Sequence, residues 1–152
     1  MRTSAAGNES RRARGFTLIE LLVVVAIIAI ATAGVSFALR DSQDTQLERE
    51  GQRLAALFES ARAQSRATGV AVRWRTVDGG FRFEGAQPGT LPEQWLATTT
   101  LAQGNAVVVL GPEPIVGPQQ VVIASTAAPG RQLRIATDGL RPFRVTAADA
   151  GS

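Results

Sequence analysis

A long apolar stretch dominates the first third of the chain. Leu21–Leu39 contains nineteen residues, of which only Thr32 and Ser36 are polar. A helix of this length extends roughly 28 Å at 1.5 Å per residue, which is close to the thickness of a bilayer's hydrocarbon core. The pattern predicts a membrane-spanning helix over residues 16–40.

The next segment, residues 41–68, has the periodicity of an amphipathic helix. Its apolar positions recur at intervals of three, four and seven residues. They are Leu47, Leu54, Leu57, Phe58 and Ala61, and the opposite face carries Glu48, Arg49, Arg53, Glu59 and Arg62. No proline occurs between Phe16 and Ala67, and Thr68-Gly69 is typical of a helix end. We favour packing of the apolar stripe on the chain's own sheet; the alternative is a surface for a partner helix.

Residues 69–152 have the alternation of strands. Val70, Val72 and Trp74 alternate with polar residues before the turn Asp78-Gly79-Gly80, and Phe81 and Phe83 alternate after it, which predicts a β-hairpin. Further strands are predicted at Glu93–Thr100, Val107–Leu110 and Val121–Ser125, and a closing hairpin at Leu133–Ala136 and Phe143–Thr146. The predicted fold class is α+β, with a long N-terminal helix packed on an antiparallel β-rich domain.

Charge is distributed unevenly between the N-terminus and the rest of the chain. Residues 1–15 carry four Arg and one Glu, whereas residues 16–152 carry twelve Arg and twelve Asp or Glu. The basic N-terminus is the kind of segment that stays on the cytoplasmic side of a membrane. Because the remainder is neutral, it has no general electrostatic attraction for nucleic acid or anionic lipid.

Two types of side chain that are common in enzyme active sites are absent from the chain. The chain has neither His nor Cys, so it lacks the commonest general base and metal ligand and has no thiol nucleophile. No phosphate-binding loop, dinucleotide fingerprint or metal-ligand cluster occurs. We predict that the chain is not an enzyme and needs no cofactor or metal.

The junction between the basic and apolar segments reads Arg14-Gly15-Phe16-Thr17-Leu18-Ile19-Glu20. It resembles the class III signal of type IV pilin-like proteins. The resemblance implies that a prepilin peptidase removes the leader 1–15 by cutting between Gly15 and Phe16, and that the new N-terminus at Phe16 is methylated. It also implies a pilin-like fold and a single-pass anchor in the inner membrane of a Gram-negative bacterium, with residues 69–152 in the periplasm.

Two other interpretations of the apolar stretch remain open. One is an ordinary secretory signal peptide, because Ala31-Thr32-Ala33 before Gly34 is an acceptable cleavage site. The other is an uncleaved membrane anchor, in which Glu20 reaches the interface from the end of the span. Neither explains the Gly15-Phe16 junction together with Glu20.

Glu20 is an acidic residue at the edge of an apolar helix, where a carboxylate is costly unless it is paired. The pilin-like resemblance implies that Glu20 meets the N-terminal amine of Phe16 on a neighbouring subunit. Such a contact would fix the register of helices bundled in a filament.

The layout of a long helix followed by a β-rich domain resembles the H-type minor pseudopilin of type II secretion, a relative of FimT-type pilins. Trp74-Arg75 and Thr137-Asp138-Gly139 support this second resemblance. It implies a structural subunit at or near the tip of a periplasmic pseudopilus. The implied partners are the prepilin peptidase, the major and other minor pseudopilins, the inner-membrane assembly platform and, as a further candidate, secreted cargo.

A cluster of arginines supports an alternative function. Arg131, Arg134, Arg141 and Arg144 lie close together late in the chain. A FimT-like minor pilin could bind DNA phosphates through such a strip. The competing explanation is that arginines alternate along strands and face solvent.

Overall fold

The computed structural model describes residues 16–113 and 115–148, without the side chains of residues 35–41. The predicted leader 1–15, including Gly15, lies outside the described residues. The chain divides into two compact units, Met1–Phe37 and Ala38–Ser152.

One helix and seven strands make up the described secondary structure. The helix α1 is Leu18–Thr68. The strands are β1 Arg73–Val77, β2 Gly80–Glu84, β3 Thr100–Ala102, β4 Val107–Val109, β5 Gln119–Ser125, β6 Ala128–Thr137 and β7 Arg144–Ala147. All strand pairs are antiparallel; one sheet has the order β2-β1-β4 and the other the order β3-β5-β6-β7. The predicted α+β class is confirmed at this level.

The predicted amphipathic helix ends where the sequence indicates. Gly69 donates its N–H to the Ser65 carbonyl at 2.8 Å, which closes the last turn of α1. The apolar stripe predicted on this helix is buried in one core together with residues of both sheets. The buried residues of the stripe are Leu47, Leu54, Phe58 and Ala61. The stripe therefore packs on the chain's own strands.

Phe58 is the centre of the core. Its ring lies 5.3 Å from that of Trp74 and 4.8 Å from that of Phe143, both in edge-on geometry. Trp74 belongs to the three-stranded sheet and Phe143 immediately precedes β7 of the other sheet. One helix side chain thus joins both sheets, with an aromatic geometry that adds to the area buried.

The charged face of α1 is partly covered. Arg62 was predicted on that face but is 4% exposed, and Glu50 is completely buried. Loops from the sheets cover the flanks of the helix: the Phe143 N–H donates to Glu59, and the Leu96 N–H donates to Glu50. Arg62 remains within 3.5 Å of Glu59, so its charge is paired where it is buried.

The strand predicted at Glu93–Thr100 does not form along its length. The segment makes one isolated bridge, Gly80–Gln94, and its pairing with another strand begins only at Thr100. Helix side chains bind the backbone instead, because Arg53 donates to the Gln94 carbonyl at 3.1 Å and Glu50 accepts from the Leu96 N–H at 2.6 Å. Because side chains of α1 provide hydrogen-bond partners for this backbone carbonyl and N–H group, the segment needs no neighbouring strand there.

A glutamine side chain connects the two sheets. The Gln119 amide accepts from the Val109 N–H at 2.6 Å and donates to the Val109 carbonyl at 2.9 Å. Gln119 begins β5 and Val109 ends β4, and the other edge of β4 pairs with β1. The amide therefore makes the two hydrogen bonds that one residue of a neighbouring strand would make at this edge of β4.

Candidate processing and assembly site

The first helical turn lies directly beside the predicted cleavage position. Phe16 and Thr17 precede α1, and the Thr17 hydroxyl accepts the Glu20 N–H at 3.3 Å while its carbonyl accepts the Leu21 N–H at 3.2 Å. This is an N-cap, and Thr17 with Glu20 three residues later has the spacing of a capping box. Phe16 is therefore outside the helix, and its side chain is exposed.

The helix that follows presents apolar side chains in every direction. Its large exposed residues in the unit Met1–Phe37 are Leu18, Ile19, Leu21, Leu22, Val23, Val24, Val25, Ile27, Ile28 and Ile30. The Thr32 hydroxyl bonds the Ile28 carbonyl at 2.6 Å, so it is satisfied within the helix. A helix that is hydrophobic all round is stable only in apolar surroundings, whether lipid or other helices.

Glu20 is the acidic residue of this first turn. Among the residues that the structure describes, it forms no ion pair with another side chain. Its position next to the N-cap puts the carboxylate where the partial positive charge of a helix N-terminus favours it. The Glu20 side chain is exposed, so it is accessible to a partner.

No described helix has both the length and the apolar character needed to cross a membrane. The predicted span over residues 16–40 stays a prediction.

The structure does not bring the four late arginines into one strip. Arg131 binds carboxylates of α1, at 3.3 Å from Asp44 and 2.6 Å from Glu48. Arg134 lies on β6 opposite Thr146, and Arg144 lies on β7 opposite Ala136. Because the neighbours Leu133 and Ile135 face the core, Arg134 and Arg144 share the outer face of the sheet as diagonal neighbours.

Arg141 lies apart from this pair, in the turn between β6 and β7. Its guanidinium is 3.7 Å from Asp138 and the side chain is largely exposed. Asp138 itself accepts the backbone N–H groups of Leu140 at 2.9 Å and Arg141 at 2.7 Å. These two hydrogen bonds, the one from Arg141 first, lower the pKa of the Asp138 carboxyl below its ordinary value.

The lowered pKa makes the turn's contribution to stability pH-dependent. A depressed carboxyl pKa stabilises the fold above the unfolded-state value of about 3.9, and this contribution is lost as the pH falls through the lower folded-state pKa. Asp138→Asn keeps an acceptor but removes the charge, so we expect it to unfold at lower urea concentration than the parent chain at pH 7. The difference should shrink progressively below about pH 4, as measured by urea titrations across pH. A difference that stays constant down to acid pH would contradict this assignment.

Sequence reasoning missed the buried carboxylate of Glu50. It is 2.9 Å from Arg53 and holds the loop at Leu96. Its spacing carried a signal, because Glu50 follows Leu47 by three residues and precedes Leu54 by four, so it lies on the apolar stripe. Within the described residues, no group of three or more acidic side chains is arranged to hold a metal.

The comparison with family models matches the N-terminal segment. Residues 10–36 match the prokaryotic N-terminal methylation motif, which is typical of type IV pilin-like proteins. The motif implies processing by a prepilin peptidase and assembly with other pilin-like subunits. No curated protein and no solved structure gives a match to this chain.

Proposed function

We propose that this chain is a minor pseudopilin of type II secretion, a structural subunit at or near the tip of a periplasmic pseudopilus that supports export of folded proteins. The observation that carries the proposal is the methylation motif at residues 10–36, directly at the start of an exposed apolar helix. In this proposal the peptidase cuts between Gly15 and Phe16, Phe16 is methylated, and the chain has no catalytic activity of its own. The apolar helix anchors the chain in the inner membrane before assembly and then bundles with its siblings.

The β-rich domain supports a subunit role in a second way. It buries the amphipathic part of α1 in its own core, so this helix face is not available to siblings. Contacts between subunits then fall to the apolar N-terminal helix and to the outer surface of the domain. This division is what a filament subunit with a separate head domain requires.

DNA binding remains the second candidate, in a FimT-like minor pilin. Arg134 and Arg144 share one sheet face, and Arg141 is exposed nearby in sequence. Arg131 contributes less, because its charge is already matched by Asp44 and Glu48. Replacing Arg141 and Arg144 together separates the functions: loss of DNA retention with secretion intact would favour the pilin alternative.

The assembly role of Glu20 is testable in cells that carry the peptidase. We expect Glu20→Leu to be cut at Phe16 normally but to co-purify with sibling subunits roughly tenfold less, since tenfold corresponds to about 1.4 kcal/mol of lost pairing. The measurement is intact mass together with the amount of each partner recovered from cross-linked membranes.

Thr32→Val is the matched control for Glu20→Leu. It removes a polar atom from the same helix, where the hydroxyl donates to the Ile28 and Ala29 carbonyls, but it leaves the charge of Glu20 in place. Glu20→Asp should recover part of the assembly. Undiminished co-purification of Glu20→Leu would reject the assembly role, and a parent chain found uncut at Met1 despite active peptidase would reject the pseudopilin proposal itself.

A further inference from the structure

The last strand of the four-stranded sheet has an open edge. In the order β3-β5-β6-β7, β7 pairs only with β6 among the strands that the structure describes. The Ala148 N–H donates to the Gln132 carbonyl at 3.0 Å, so these two opposite residues form a hydrogen-bonded pair. Hydrogen-bonded and non-hydrogen-bonded pairs alternate along an antiparallel ladder. The backbone N–H and C=O groups of Val145 and Ala147 therefore point away from β6, towards the open edge.

A trough of about 500 Å³ lies beside this edge, between β7 and α1. Gly51 brings the helix close to the sheet here, since a Cβ at that position would lie 3.1 Å from the Val145 side chain. The next turn of the helix lines the trough with the methyl groups of Ala55 and Ala56. We call this space, together with the open edge of β7, the β7 trough. Its helix side has room for apolar side chains.

The charged residues of the β7 trough leave one cation without a partner. Glu59 lines the trough, but its carboxylate already accepts the Phe143 N–H at 3.0 Å and lies 3.5 Å from Arg62. Arg144 is exposed and forms no ion pair with a described side chain. Its diagonal neighbour Arg134 forms none within the same residues. The unmatched charge at this edge is therefore positive.

These features favour an extended protein segment as the occupant. Open N–H and C=O groups at alternate residues of a strand are matched by the backbone of one further strand, as in β-strand addition. Successive side chains of such a strand point to opposite faces. One set would pack on Ala55 and Ala56. The other set would lie beside Arg144 on the outer face, where an acidic side chain is favoured.

The charges of the chain's own strands argue against a second copy as the partner. The described strands carry six arginines and one glutamate, which are Arg73, Arg75, Arg82, Arg131, Arg134, Arg144 and Glu84. The glutamate is already paired with Arg75. Charged strands of a second copy would bring arginine towards Arg144, which destabilises a cross-strand pair, and uncharged strands would leave this cation unmatched. The charge therefore favours a different protein.

We propose that the β7 trough binds an extended segment of a different pilin-like subunit, in which apolar residues alternate with acidic ones. The segment adds a strand to β7 through the backbone of Val145 and Ala147, packs its apolar side chains on α1 and pairs an acidic side chain with Arg144. The inference rests on the proposed function as a filament subunit and adds where the domain receives a sibling. Assembly with other pilin-like subunits is what the methylation motif implies.

A peptide of defined pattern tests the binding. The full chain is extracted in detergent, and intact mass confirms that it begins at Phe16. The probe is a blocked, labelled peptide of alternating valine and glutamate, about six residues long like a typical strand. We expect it to bind roughly tenfold tighter than the same peptide with lysine for glutamate, or with a methylated backbone, because each change removes one kind of contact. Binding should also slow amide exchange at Val145 and Ala147.

Ala147→Pro tests the backbone contact. Proline removes an N–H that faces the open edge, a position where edge strands tolerate it, and leaves the pairing with β6 in place. We expect roughly tenfold weaker binding of the valine–glutamate peptide. Ala147→Val is the matched control, because it changes the same residue but keeps the N–H, and it should bind like the parent chain.

Arg144→Glu tests the charge. We expect it to reverse the preference, so that the valine–lysine peptide binds tighter than the valine–glutamate peptide. Arg73→Glu is the matched control, because Arg73 is an exposed arginine on β1 of the other sheet, and it should leave the preference unchanged.

The source of the segment is tested in membranes of cells with active peptidase. The parent and Ala147→Val chains should cross-link to partners whose own sequences carry the methylation motif. Ala147→Pro should recover roughly tenfold less of these partners. Recovery of secreted proteins in their place would overturn a sibling as the partner, and a dimer of this chain that Ala147→Pro abolishes would mean that a second copy occupies the edge.

Four peptide results would overturn the binding proposal. They are equal binding of the glutamate and lysine peptides, binding that survives Ala147→Pro, binding of neither peptide, and retention of duplex DNA with neither peptide bound. Binding of neither is what an edge that is merely protected by its charge predicts, and DNA retention would support the DNA-binding alternative. A chain that begins at Phe16 but binds no peptide rejects the β7 trough alone, whereas a chain that is never cut rejects the proposed function.

Discussion

Phe58→Ala is expected to lower the free energy of unfolding by about 3–5 kcal/mol, the usual cost of removing a large aromatic side chain from a core. Phe58 is completely buried and contacts the rings of Trp74, Phe83 and Phe143. Its loss leaves a cavity where the helix and both sheets meet. A movement of one element alone cannot fill this cavity, so most of its energetic cost remains. Urea unfolding of the full chain in detergent, followed by tryptophan fluorescence, measures the effect.

Leu57→Ala is the matched control, because Leu57 is the adjacent residue on α1 and is only partly buried. We expect a clearly smaller loss for it than for Phe58→Ala. Equal effects at the two positions would mean that the helix is not anchored in the core through Phe58.

Gly15→Leu is expected to abolish N-terminal processing. The methylation motif implies processing by a prepilin peptidase, and the proposed cut lies at this junction. Gly15 stands directly before the proposed cut and has no side chain. A bulky side chain at position 15 would then enter the peptidase directly. Intact mass of the membrane-extracted protein should show a chain that still starts at Met1.

Gly7→Leu provides the comparison, since it puts the same side chain on another glycine of the leader, away from the junction. We expect it to be processed like the parent chain. Cleavage of Gly15→Leu before Gly34, blocked by Ala33→Asp, would instead support an ordinary secretory signal.

Those elements that depend on local pattern could be predicted from the sequence. The hairpin around Asp78-Gly79 and the burial of Leu54 and Phe58 follow from periodicity and turn chemistry, and both are confirmed. Elements that depend on distant partners could not. The segment 93–100 has strand-like composition, but Glu50 and Arg53 bind its backbone from another element.

Gly51 illustrates the same limit. A glycine inside a helix is intrinsically destabilising, whereas a Cβ at position 51 would lie 3.1 Å from the Val145 side chain on β7. The glycine permits close approach of helix and strand, and nothing within the helix itself signals this.

The candidate functional residues also include some that the sequence could identify and some whose positions depend on the fold. Phe16 and Glu20 could be singled out because the junction motif is contiguous, and a match over residues 10–36 includes them. The four arginines are also close in sequence, but only Arg134 and Arg144 share one face of the sheet. Arg131 turns to Asp44 and Glu48, and closeness along a chain cannot predict that pairing.

The Gln119 amide gives the domain a particular response to mechanical load. In the proposed filament subunit, a force on β4 would reach the four-stranded sheet through the two hydrogen bonds between Gln119 and Val109. Hydrogen bonds that are loaded together resist shear better than bonds loaded one after another. The two sheets are therefore coupled through this side chain as well as through the shared core around Phe58, although they share no continuous strand ladder.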